Sequence, residues 1–229
     1  CVVAMTFSGM GDSDWRERYS MHSFSHEQLA VCAHAGLFEG GRKPVIVAHS
    51  FGGFITIKTG QATGDRFAGV MIIDSQVRPP EDPFEGPPRR SGPNRVYADL
   101  TSGLARFRLA PPQPCENHYI VDYIARHSLK QVTNSAGQEG WTWKFDPSIW
   151  ERFDRLDTLH EMFSAISCPL AVMRGQDSVL IPDRSWAYMR SLRPDAMMTS
   201  IPEAQHHVML DQPLAFVAAV RAQLAAWAY

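Results

Sequence analysis

The stretch that most constrains this chain is Val45-Ile-Val-Ala-His-Ser-Phe-Gly-Gly53. It opens as a short β-branched run and ends in small residues. A periodic apolar segment follows, with Phe54, Ile55 and Ile57 before Thr59 and Gly60. That order predicts a strand, a sharp turn and a helix. A serine at the apex of such a turn is held away from the backbone with its hydroxyl exposed. The N–H groups that open the helix point at whatever that hydroxyl carries. The pattern is close to G-x-S-x-G, with Ala48 at the first position. Alanine is small enough for the crowded crossing of strand and helix, and Gly52 supplies the other small residue.

The strand–turn–helix unit recurs. Ala68–Asp74 and Pro169–Arg174 read as buried strands, and Ala196–Ile201 as the last one. Between them, Leu29, Cys32, Ala33 and Leu37 form a helical stripe after a capping pattern at Ser25. Asp183–Leu192 and Pro213–Trp227 read as further helices. The closing stripe carries Phe216, Val217, Val220, Leu224 and Trp227. Strands alternating with helices give a mostly parallel sheet flanked by helices, an α/β fold. Ligands of such sheets bind beyond the carboxyl ends of the strands. Cys1–Phe7 also reads as an apolar strand, so the chain is expected to begin in mid-fold.

The texture changes from residue 79. Pro79, Pro80, Pro83, Pro87, Pro88 and Pro93 surround Arg89 and Arg90, which is linker chemistry. Helices are expected over Tyr97–Leu109, Tyr119–Leu129 and Ile149–Phe163, with an aromatic turn or short strand at Gly140–Pro147. Residues 79–164 therefore read as an inserted, mostly helical cap, with 1–78 and 165–229 forming the core. Trp141, Trp143 and Phe145 either line an apolar substrate pocket or pack the cap.

Chemistry needs partners for the serine. A general base must reach its hydroxyl, and a carboxylate must orient the base. His206 lies in the loop after the last strand, and Asp177 lies just beyond Pro169–Arg174. Asp74 ends the strand that follows the serine turn and is the alternative acid. The order Ser50, Asp177, His206 is a known chain order for such triads. Phe51, directly after the serine, can offer a backbone N–H to an oxyanion.

Taken together, these motifs resemble the α/β-hydrolase family in its serine esterase-like form. Ser8-Gly-Met-Gly-Asp-Ser-Asp14 resembles the family's G-x-G-x-S loop, and Ala48-His-Ser-Phe-Gly52 its nucleophile turn. Arg174-Gly-Gln-Asp177 resembles the acid-bearing strand end. Gln205-His-His-Val-Met-Leu-Asp-Gln-Pro213 resembles the block around the catalytic histidine, and the spacing to Pro213 selects His206 over His207. Some members carry the acid where Asp74 stands. The family's leading strands and the His-Gly loop that supplies a second oxyanion N–H have no counterpart in this sequence. The resemblance implies hydrolysis of a carboxylic ester or similar small acyl substrate through an acyl-enzyme on Ser50. Carbon–carbon or lactone hydrolysis by the same triad, or ligand binding without turnover, are the alternatives. It implies no cofactor.

Other classes fit poorly. Ser8–Asp14 lacks the third glycine of a dinucleotide fingerprint, and no striped helix follows it. The net charge of −2 over 229 residues gives no nucleic-acid surface. The four cysteines are scattered singly, without metal or disulfide spacing, which suits a reduced, cytoplasmic protein. No run is apolar enough to span a bilayer. His22 and His26 are helically spaced, but no third ligand joins them, so no metal is expected. The expected partner is a small ester-like molecule, and a homodimer is compatible with the composition. His49 reads as filler of the serine turn. Asp211 reads as support for the histidine loop or a helix cap.

Overall fold

A computed structural model describes residues 1–82, 86, 92–133, 137–154 and 158–228. The chain forms two compact units. One comprises Met21–Phe84 and Arg155–Tyr229, the other Cys1–Ser20 and Glu85–Asp154.

The first unit is built on a parallel sheet. Its strands are β1 (Val45–His49), β2 (Gly69–Ile73), β5 (Leu170–Gly175) and β6 (Met197–Ile201), in the order β1-β2-β5-β6. Each strand carries β-branched or long apolar side chains, which suit a pleated surface covered on both sides. The pairings are regular, with His49 opposite Ile73 and Gly175 opposite Ile201. Every residue of β2 and β5 is buried.

Alternate side chains serve opposite faces. Met71, Ile73, Ala171 and Met173 form one core layer with Ile201, Ala204 and Val208. Helix α8 (Pro213–Ala226) covers that layer with Phe216, Val220 and Leu224, and Trp227 follows just beyond it. Val217 turns outward instead and is 49% exposed. The helix α2 (Phe51–Thr63) approaches the other face so closely that a Cβ on Gly53 would stand 3.1 Å from Ile72 Cγ2. Helix α1 (Met21–His34) packs on α2. It starts at Met21 rather than Ser25, because Ser25 belongs to a buried polar seam. There Thr59 Oγ1 lies 2.9 Å from Ser25 Oγ, and Gln28 Nε2 donates to Thr56 Oγ1 at 2.9 Å.

In the second unit the expected helices are shorter. They are α3 (Leu100–Leu104) and α4 (His118–His127), beside an antiparallel hairpin of β3 (Leu129–Thr133) and β4 (Glu139–Trp143). Tyr97 pairs in extended form with Trp141, and the Asp99 carboxylate caps Ser102 N, so α3 cannot start before Leu100. Among the described residues of the expected Ile149–Phe163 helix, α5 (Leu159–Ser164) forms, within the sheet unit. Residues 155–157 of that segment lie outside the described residues, as do Pro83, Pro87, Pro88, Arg89 and Arg90 of the linker.

The unit boundaries also differ from the expected 1–78, 79–164 and 165–229. Residues 1–20 group with the insertion because Tyr19 is fixed to it. Tyr19 N donates to Arg152 O at 3.0 Å, and its hydroxyl donates to the buried Asp146 carboxylate at 2.7 Å. Cys1–Phe7 is not a strand. Its end is held in a turn instead, with Met10 N donating to Phe7 O at 3.1 Å and the Ser13 hydroxyl to Thr6 O at 2.9 Å, and Val2 is 96% exposed.

Candidate active site

The candidate site residues lie beyond the carboxyl ends of the parallel strands. Ser50 follows β1 with φ 52° and ψ −119°, and Asp74 follows β2 with φ 46°. Neither is glycine, so each holds a left-handed backbone that costs about 1–3 kcal/mol and persists only when its surroundings enforce it. They are enforced. Ser50 N donates to Ile73 O at 2.9 Å, and Asp74 N donates to Met173 O at 2.8 Å. The Ser75 hydroxyl donates to Ser50 O at 2.7 Å. Gly53 makes room for that hydroxyl, since any Cβ there would overlap Ser75 Oγ. Gly52 is less constrained. A Cβ on it would sit 3.7 Å from Ala48 Cβ, an ordinary contact, so the alanine at position 48 fits.

Asp74 holds His206. The His206 Nδ1–H donates to Asp74 Oδ2 at 2.7 Å, and both side chains are buried. The same oxygen accepts from the Ser178 hydroxyl at 2.6 Å, while Oδ1 accepts from Gly175 N at 3.0 Å. This corrects the preference for Asp177, whose carboxylate is exposed and makes no bond to His206. The cause is the close crossing at Gly175. A Cβ there would collide with the carbonyl oxygens of Ala204 and Gln205. The glycine lets β5 run tight against the histidine loop, with its N–H on Asp74. The chain then turns, Ser178 N donating to Gly175 O and Asp177 N to Ala204 O, which carries the Asp177 side chain outward.

Because Nδ1 carries the proton given to Asp74, Nε2 of the neutral ring is a bare lone pair. That nitrogen is the buried side-chain polar atom left without a hydrogen-bond partner among the described residues. Its loop is fixed on both sides. Asp211 Oδ2 accepts from Gln205 N at 2.7 Å, and His49 Nε2–H donates to His206 O at 2.8 Å. His49 is therefore more than filler. Its burial, and then the neighbouring His206, push its pKa down to about 4. The His49 and His206 ring centroids lie 4.6 Å apart. His207 heads the short helix α7 (Val208–Asp211).

Phe51 opens α2, whose Gly53 and Phe54 N–H groups donate to Ser50 O at 2.9 and 3.4 Å. Its ring meets Phe24 edge-on at 5.4 Å. Trp141, Trp143 and Phe145 belong to the other unit. Trp143 packs against Tyr97 and Phe107, and Asn94 donates to the carbonyls of Trp143 and Phe145. A cavity of about 510 Å³ sits at the amino ends of β5 and β6, the opposite end of these strands from His206. Ser75 and Ser178 were not singled out from the sequence. Small polar residues beside strand ends were the available signal.

A family model described as the alpha/beta hydrolase family matches residues 1–220. The chain belongs to the α/β hydrolase family. This α/β hydrolase is 23% identical over 185 residues to the sn-1-specific diacylglycerol lipase ABHD11 of Danio rerio, covering 78% of this chain and 56% of that protein. It thus spans little more than half the length of that curated relative. Among solved structures, the esterase Rv0045c of Mycobacterium tuberculosis superposes with a TM-score of 0.70 at 20% identity, over 95% of this chain and 73% of that one. A thioesterase domain from the curacin biosynthetic pathway gives 0.70 at 16% identity, over 93% and 78%. A thermophilic esterase from Thermogutta terrifontis gives 0.67 at 22% identity, over 96% and 78%. These structural likenesses show the fold of this α/β hydrolase. Among its described residues, no helix is long and apolar enough to cross a membrane.

Proposed function

We propose that the protein is a serine hydrolase that cleaves a carboxylic ester or a similar small acyl substrate. The observation that carries this reading is His206, held by Asp74 at Nδ1 with its buried Nε2 lone pair unpartnered, in the same unit as a strained, turn-borne serine. Ser50 Oγ attacks the acyl carbon, and His206 Nε2 takes its proton. Asp74 keeps the ring in the required tautomer and stabilises the imidazolium that forms. The Phe51 N–H faces the developing oxyanion. The imidazolium returns the proton to the leaving group, and an acyl-enzyme remains on Ser50. Water, activated by His206, releases the acid. The lipase, esterase and thioesterase descriptions of the relatives support an acyl substrate.

A second reading, a ligand-binding member without turnover, is favoured by one observation. Ser50 Oγ makes no hydrogen bond to His206 Nε2 in this structure. Catalytic hydrogen bonds often tighten only when substrate seats, so hydrolysis is preferred. The test is the intact mass after exposure to a fluorophosphonate, with Ser50→Ala as control. One adduct, lost in Ser50→Ala, is the expected result. No adduct on the wild-type chain would favour the binding reading.

A further inference from the structure

We propose that His49, His206 and His207 form a site for a divalent transition metal of the zinc class, and that an ion bound there silences the general base. Silencing, though not binding, rests on the proposed catalytic role of His206. Each of the three residues offers one imidazole nitrogen, and the three nitrogens lie within 4.8 Å of one another. The ring centroids are 4.6 Å (His49–His206), 4.8 Å (His206–His207) and 5.6 Å (His49–His207) apart.

His206 is already arranged as a metal ligand. It is 2% exposed, and its Nε2 has no partner. Its Nδ1–H is bonded to a carboxylate, the arrangement that fixes tautomer and raises basicity in metal-bound histidines. His49 donates from Nε2 to a carbonyl oxygen, so its proton is accounted for and its other ring nitrogen carries a lone pair. His49 and His207 are half-buried, which gives the ion a route inward and gives the rings freedom to adjust.

The geometry suits zinc after a small closure. Bonds of about 2.0–2.1 Å in a tetrahedron put ligand nitrogens about 3.4 Å apart. The imidazoles therefore close by up to about 1.4 Å on loading. Three histidines leave the fourth position to water. Binding forms a coordinate bond from each nitrogen lone pair and displaces water from the ion, with no redox change. Once Nε2 is coordinated, it has no lone pair to accept the Ser50 proton. The sequence expectation of no metal weighed only His22 and His26, whose rings lie 4.1 Å apart on α1. The His49–His206–His207 group joins residues 157 positions apart, which spacing alone does not bring together.

The test titrates zinc chloride into the chelator-stripped protein and measures affinity by calorimetry and bound zinc per chain after dialysis. One ion per chain is expected. His49→Gln and His207→Gln should each weaken binding tenfold or more, with folding checked by circular dichroism. Ser50→Ala and His22→Gln should bind as the wild type does. No binding, or binding lost in His22→Gln and kept in His207→Gln, overturns the site. Zinc should also slow fluorophosphonate labelling of Ser50, with recovery on adding a chelator. Zinc bound at the site without slowing overturns the silencing. If Ser50 never labels even without zinc, the hydrolase reading fails, while the zinc titration still decides the site.

Discussion

The central and outer strands of the parallel sheet differ in what they contribute. All residues of β2 and β5 are buried, and their ends are locked together, with Asp74 accepting from both Gly175 N and Ser178. The outer strands are partly open, with Val47 on β1 at 45% exposure and Met197 on β6 at 48%. Yet β1 leads to Ser50, and the loop after β6 holds His206. The orienting carboxylate comes from the rigid centre, and the groups that would react stand at the margins. In the proposed reaction, preorganisation needs the acid fixed in a dry, well-packed place, whereas the serine and histidine would meet an arriving molecule.

Substitutions that probe this contrast rank by depth. Gly175→Ala, at the end of a central strand, should cost about 3–5 kcal/mol. Its Cβ meets backbone carbonyls that cannot yield without moving His206. Chemical denaturation checks this, and a cost under about 1 kcal/mol would break the contrast. Next is the pH response of the metal-free protein. The folded-state pKa of His49 is depressed to about 4, so its contribution is complete above pH 6.5. As pH falls from 6.5 to 4, the unfolded chain takes a proton that the folded chain refuses. Stability should drop by about 2–3 kcal/mol through this window, and His49→Gln should lack that component. Ser178→Ala removes one hydrogen bond to the buried Asp74 and should cost about 1–3 kcal/mol, read from the denaturation midpoint. Val47→Thr, on the outer strand, should stay within about 0.5 kcal/mol of the wild type. A larger loss there would show that β1 is as tightly held as the centre.

The same contrast explains what the sequence revealed. The Val45–Gly53 turn was readable because its signal is local, a β-branched run followed by small residues and a stripe. Asp211 was readable for the same reason, since it closes its own loop onto Gln205, six residues away. Asp74 and Asp177 could not be separated, because both follow parallel strands. The choice is made by the close crossing of Gly175 with Ala204 and Gln205, a contact between distant segments. Cys1–Phe7 failed as a strand because composition supplies propensity but not a pairing partner. The β3–β4 hairpin was half visible. Trp141 and Trp143 alternate as a strand requires, but Leu129 and Val132 also suit the end of a helix.

The most direct test of the account compares the rate at which a fluorophosphonate labels Ser50 in wild type, Asp74→Asn and Asp177→Asn. Losing the orienting carboxylate costs such sites about 10⁴-fold. Labelling in Asp74→Asn is expected to slow by about that factor, and Asp177→Asn to stay within about threefold of wild type. The reverse order, with Asp177→Asn slow and Asp74→Asn near normal, would contradict the pairing of Asp74 with His206 as the working arrangement.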